Sequence, residues 1–86
     1  MNKYQNNPEC IIDLHGRTVR EAKEELEGIV REKKYSHVRI ITGKGAFRVN
    51  GPVLRDFVKQ YLDEKRISYR PAKIADGGEG ALEVFL

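Results

Sequence analysis

Cysteine is all but missing: Cys10 is the only one in 86 residues, so neither an internal disulfide nor a cysteine-based zinc cluster can form. Such a chain suits a reducing compartment, and the cytoplasm is the expected location. Tryptophan is absent, and no apolar run approaches the roughly 18–20 residues that a membrane-spanning helix needs. The segment Met1 to Pro8 is polar and holds no apolar core of a secretory signal. No membrane partner is therefore expected. Repeats and low-complexity tracts are also missing. What is present is an ordinary globular composition: 40% hydrophobic and 34% charged residues can form a core rather than stay disordered. A chain this short carries one modest core and no separate cofactor domain. The formal charge of +3 suits a nucleic-acid partner without requiring one.

Residues 1–8, rich in Asn and Gln, read as a flexible leader, and residues 9–86 as a single domain. Cys10 to Leu14 is the first predicted strand. Thr18 opens a helix, because Glu21 three residues on completes a Thr-x-x-Glu capping box. Val19, Ala22, Leu26, Ile29 and Val30 fall on one face of that helix, and the pattern fades near Lys34. His37 to Thr42 is the second strand. Asn50-Gly51-Pro52 marks a second helix start, with Pro52 where a missing N–H costs nothing. Val53, Leu54, Phe57, Val58, Tyr61 and Leu62 give this helix a broad core face, ending near Lys65-Arg66. Ser68 to Ala75 is the third strand, placed at an edge because Pro71 cannot donate to a ladder. Asp76 to Gly80 is a turn, and Ala81 to Leu86 the fourth strand.

The predicted order is βαβαββ, an α/β two-layer sandwich. Right-handed crossovers place both helices on one face of a four-stranded mixed sheet and leave the other face open. Strands 1, 2 and 3 run parallel, and strand 4 returns antiparallel. The loops after the parallel strands then meet at one end, where open α/β sheets bind ligands. Two glycine loops occupy that end: Asp13-Leu14-His15-Gly16 and Thr42-Gly43-Lys44-Gly45. Each precedes a helix amino terminus, whose free N–H groups and dipole suit phosphate.

The residues in these loops admit more than one reading. Alternation puts Asp13 and His15 on the open face. Arg39 shares that face, and Glu83 is a further candidate for it. Asp13 is then either a structural acid, paired with Arg39 or capping the Gly16-Arg17 turn, or the group that orients His15. His15 is either a hydrogen-bonded turn residue or a general acid/base. The second loop lacks the Gly-x-x-x-x-Gly-Lys-Ser/Thr spacing of a Walker A motif. Its glycines can serve an ordinary turn needing positive φ. Lys44, Arg48 and Arg55 nevertheless form a cation group suited to phosphate. Phe47, between them, either stacks on a base or packs in the core.

In this order and spacing the motifs resemble the Smr (small MutS-related) domain family. They are Ile12-Asp13-Leu14-His15-Gly16, Ile41-Thr42-Gly43-Lys44-Gly45, Gly51-x-x-Leu54-Arg55-x-x-Val58 and Gly77-Gly78-x-Gly80-Ala81. The likeness spans about Ile11 to Leu86. Phe47-Arg48 after the second motif looks like the version attached to MutS-like proteins. The resemblance implies a fold similar to the carboxyl-terminal domain of a bacterial translation initiation factor. It also implies nucleic-acid binding, to DNA or to RNA that can be ribosome-associated, with endonuclease activity on structured substrates. The alternative is a non-catalytic nucleic-acid or ribosome-binding module. On the endonuclease reading His15 and Asp13 are catalytic, and Gly16, Arg17, Gly43, Lys44, Gly45, Arg48 and Arg55 bind nucleic acid or phosphate. No metal ligand is assigned. No tightly bound cofactor is expected, although cleavage could call on a divalent cation such as Mg2+. The domain is expected to be a monomer.

Overall fold

A computed structural model describes residues 7–43 and 51–86. The chain runs β1 (Cys10–Asp13), α1 (Val19–Glu32), β2 (His37–Ile41), α2 (Gly51–Glu64), β3 (Ser68–Pro71) and β4 (Ala81–Phe85). Two 3-10 turns, Ile74–Asp76 and Gly78–Gly80, link the last two strands. The sheet order is β1-β2-β4-β3. β1 pairs with β2 in parallel, and β4 pairs antiparallel with both β2 and β3. β1, β2 and β3 therefore share one direction, and the last strand inserts between β2 and β3. That insertion leaves β3, with its Pro71, at an edge, as its missing N–H requires.

Register explains the core. Ile12, Ile40 and Leu82 stand in one row across the sheet, and Cys10, Val38 and Val84 in the next. Ile12, Val38, Ile40, Leu82 and Val84 pack in one cluster with Ala22 and Leu26 of α1 and with Leu54, Val58, Tyr61 and Leu62 of α2. Both helices thus cover the same sheet face. The opposite face carries Ile11, Asp13, His37, Arg39, Ile41, Glu83, Phe85 and Arg70.

α1 begins where its capping box dictates. The Glu21 N–H donates to Thr18 Oγ1 at 3.1 Å, and the Thr18 N–H donates to Glu21 Oε1 at 3.0 Å. It ends at Lys33, in the left-handed region at φ 53°.

The third strand is shorter than expected. Pairing stops at Pro71 instead of running to Ala75, and the chain turns from Lys73 onward. Hydrogen bonds from the Asp76 and Gly78 N–H groups to the Lys73 carbonyl, at 2.8 and 2.9 Å, replace a ladder. Gly77 supplies the reversal at φ 120°, and a Cβ there would lie 2.8 Å from that of Ala81. The turn expected at Asp76 to Gly80 therefore starts at Ile74. Among the described residues no helix is long and apolar enough to cross a membrane.

Candidate nucleic-acid site at the carboxyl ends of the strands

β1 delivers Asp13 and His15 by burying the residue between them. Leu14 is fully buried, and its N–H still donates to the Ile41 carbonyl at 2.7 Å. With Leu14 fixed inward, Asp13 and His15 stay at the surface, each side chain about half exposed. Asp13 Oδ1 accepts the His15 backbone N–H at 3.1 Å and also meets His15 Nδ1. The hydrogen bond from the imidazole holds the Asp13 carboxyl below its ordinary value, with smaller contributions from the His15 N–H and the nearby Arg17 charge. An ionised carboxylate only accepts, so Nδ1 carries the proton and Nε2 of the neutral ring keeps a lone pair.

The two glycine loops touch. Gly43 has φ 79°, and a Cβ built on it would come 3.3 Å from His15 Cβ. Its glycine is needed twice, for the backbone conformation and for the space His15 occupies. The loop is anchored from the other side. The Thr42 and Gly43 N–H groups donate to the Gly80 carbonyl at 2.9 and 3.0 Å, and Thr42 is buried. The turn after β3 thus fixes Gly43, and Gly43 packs against His15. Gly16 also has positive φ, 79°, and the Arg17 N–H closes that turn on the Leu14 carbonyl at 2.9 Å.

The expected cations divide. Arg17 is exposed beside Asp13. Arg55, from the first turns of α2, donates from Nη1 to the Glu79 carbonyl at 3.1 Å and is three-quarters buried. It ties α2 to the turn bordering the site. Lys44, Gly45, Phe47 and Arg48 lie outside the described residues.

Arg39 does not pair with Asp13. Its Nε donates to Glu83 Oε2 at 2.6 Å, and its guanidinium lies 3.5 Å from Asp76 Oδ2. Antiparallel pairing sets Glu83 directly opposite Arg39, whereas Asp13 is taken by the nearer His15. Sequence reading also missed His37, whose Nε2 lies 2.6 Å from Glu83 Oε1. Alternation alone puts His37 on Arg39's face, so the signal was there. This network buries Glu83 on the open face with both oxygens engaged.

Among the described residues no group of three or more His, Cys, Asp or Glu side chains could hold a metal ion. Asp13 Oδ1 is engaged by His15, and with no further carboxylates grouped beside it the described residues do not make a Mg2+ ligand set. A cavity of about 500 Å3, lined by Val30, Tyr35, Ile67 and Leu86 among others, lies at the opposite end of the sheet. That cavity is lined by none of the residues around Asp13 and His15.

Comparison with known proteins agrees with this fold. The Smr domain of Thermus thermophilus MutS2 has 32% sequence identity and a TM-score of 0.74, covering 88% of this chain and 95% of that one. YdaL, a stand-alone small MutS-related protein from Escherichia coli, has 25% identity and a TM-score of 0.70, with 88% and 63% covered. A human small-MutS related domain gives 27% identity and 0.67, with 87% and 98% covered. An uncharacterized protein of Treponema pallidum is 35% identical over 85 residues, which is 92% of this chain but 42% of that protein. The present chain thus spans less than half of that curated relative. The family model for the Smr domain matches residues 12–86, and the chain belongs to that family.

Proposed function

We propose that this Smr domain binds structured DNA or RNA at the carboxyl ends of its parallel strands and cleaves it there as an endonuclease in the cytoplasm. The observation that carries the reading is the Asp13–His15 pair, held at the surface with Nε2 free of partners among the described residues. Asp13 fixes the ring and its tautomer. Nε2 then takes the proton of the attacking oxygen, a water or an RNA 2′-hydroxyl. In its protonated form it gives one to the departing oxygen. Arg17 offsets charge on the phosphate, and Lys44 and Arg48 are assigned to the neighbouring phosphates. Gly43 and Gly16 let the backbone approach closely.

The test pairs chemistry with binding. Supercoiled plasmid and a structured RNA are incubated with wild-type and His15→Ala protein, and equilibrium affinity is measured on the same substrates. Loss of cleavage with binding kept is the expected result. Equal cleavage by a folded His15→Ala protein overturns the catalytic assignment. Binding by the wild type with no cleavage of either substrate leaves a pure binding module.

A further inference from the structure

The most exposed large apolar side chain among the described residues stands on the turn that anchors the candidate site. Ile74 is 95% exposed, well above Ile11 and Val53 at 55%. Single exposed apolar residues are common on protein surfaces and by themselves mean little. The mounting of this one sets it apart. Ile74 begins the first 3-10 turn after β3, where a mobile segment could let the side chain fold back onto the core. The turn does not allow that. The Gly77 N–H bonds the Ile74 carbonyl at 3.3 Å, the Asp76 and Gly78 N–H groups bond the Lys73 carbonyl, and Asp76 is paired with Arg39. The same turn reaches the candidate site through the Gly80 carbonyl, which holds the Thr42 and Gly43 N–H groups. Lys73, immediately before it, is exposed as well.

An apolar side chain carried into water on a hydrogen-bonded turn, next to the Lys73 cation and with Asp76 neutralised by Arg39, has the chemistry of a wedge. Proteins that open or kink nucleic acid insert Ile, Leu, Phe or Met between base steps while cations hold the adjacent phosphates. The open sheet face is a poor rival for this contact. Arg39 is matched there by Glu83 and Asp76, so the face offers little net positive charge.

We infer that Ile74 is a specificity-determining wedge that inserts at an unstacked base step, with Lys73 on the flanking phosphate. The preferred ligand is then a duplex carrying a bulged or mismatched base. This inference rests on the nucleic-acid reading above. The ends of β1 and β3 are three strand spacings of about 4.8 Å apart, so the wedge enters some nucleotides away from the phosphate at His15.

The experiment uses the full chain and two synthetic duplexes, made both as DNA and as RNA. One is fully paired, and the other carries a single unpaired adenine with 2-aminopurine beside it. Wild-type protein should prefer the bulged duplex and brighten the 2-aminopurine, because insertion unstacks it. Ile74→Ala should lose about tenfold on the bulged duplex, abolish the brightening and leave the paired duplex unchanged. Ile74→Met should keep both signals, since Met also serves as a wedge. Ile74 buries nothing, so unchanged melting of each variant is expected and excludes a folding defect. A wild type that binds both duplexes, with preference and brightening intact in Ile74→Ala, overturns the wedge alone. A wild type that binds neither duplex overturns the nucleic-acid reading and the wedge with it.

Discussion

At the residue scale, one carboxylate oxygen of Asp13 organises His15 twice, through the backbone N–H and through the ring. A rate-limiting proton transfer by His15 makes its replacement by Ala cost roughly two to four orders of magnitude in cleavage, with binding nearly unchanged. Asp13→Asn should cost less, because Asn can still meet the ring but presents the wrong donor or acceptor for part of the time. Single-turnover cleavage beside equilibrium binding separates the two variants. Gly43→Ala is the sharper test of geometry. Its Cβ would press on that of His15, and φ 79° is a conformation that Ala adopts only with strain. Cleavage should fall further than affinity for phosphate, which loses only the close backbone approach; full cleavage by that variant would show that His15 need not stay where Gly43 holds it. Lys44 and Arg48 belong to a separate measurement. Replacing both with Ala should lower the salt dependence of binding by up to about two phosphate contacts, and an unchanged slope would place phosphate elsewhere. How far the site could be read from sequence also shows at this scale. Alternation placed Asp13, His15 and Arg39 on the same face, with Glu83 as a further candidate, but it could not assign partners. A side chain two residues away outcompetes one on the next strand for Asp13. The match of Arg39 with Glu83 required knowing that the last strand inserts beside β2.

Among the elements, helices were the most legible and the chain after β3 the least. The capping box fixed the start of α1 because two side chains satisfy two otherwise unpaired N–H groups. Thr18→Ala should destabilise the fold by about 1 kcal/mol, measurable as a lower denaturant midpoint at unchanged slope. Leu26, on the same helix, is 1% exposed in the core, and its replacement by Ala should cost about 2–5 kcal/mol. The residues Ala72 to Ala75 read as strand because they continue a half-apolar pattern past Pro71. Hydrogen bonds decided otherwise: with Lys73 accepting from two later N–H groups, the segment closes into 3-10 turns. No hydropathy pattern encodes that choice, although the glycines hinted at it. Gly77→Ala tests the turn. Its φ of 120° and the 2.8 Å approach to Ala81 both oppose a side chain, so the loss should exceed the ~1 kcal/mol typical of a Gly→Ala change at positive φ. Because the turn holds Gly43 through the Gly80 carbonyl, cleavage should fall together with stability. A variant that melts lower yet cleaves at the full rate would sever that connection.

For the whole molecule, the two ends of the sheet answer to acid in the same way. At the end opposite the candidate site, Glu9 joins the starts of β1 and β2. Its Oε1 accepts the Ser36 hydroxyl at 2.9 Å and the His37 N–H at 3.1 Å, together with the Ser36 N–H. The bond from the Ser36 N–H is the largest reason that the Glu9 carboxyl is held below its usual value of 4.5, with the His37 N–H next. Asp13, held down chiefly by the His15 side chain, behaves likewise at the other end. A carboxyl whose folded-state value is lowered contributes stability that is complete above the unfolded value. That contribution is lost as pH falls through the folded one. Glu9 therefore builds an acid limb that begins near pH 4.5, and Asp13 deepens it below 3.8. Tyr61 and Tyr69 act at the alkaline side. Burial, the largest cause for each, raises both phenols above their usual 10.0, with Asp63 adding to Tyr69 through a hydrogen bond. Their contribution is complete below pH 10 and is lost as pH climbs through the raised values. Unfolding free energy is therefore expected to fall off in acid and again in alkali. Glu9→Gln should lower stability between these limbs, because a neutral amide accepts the two N–H groups less strongly, and should make the acid limb shallower. Tyr61→Phe should leave the acid limb alone and weaken the alkaline one. Denaturant titrations of the three proteins from pH 3 to pH 11 make the comparison. An acid limb of unchanged depth in Glu9→Gln would mean that the cap at Ser36 and His37 is not what the folded state loses in acid.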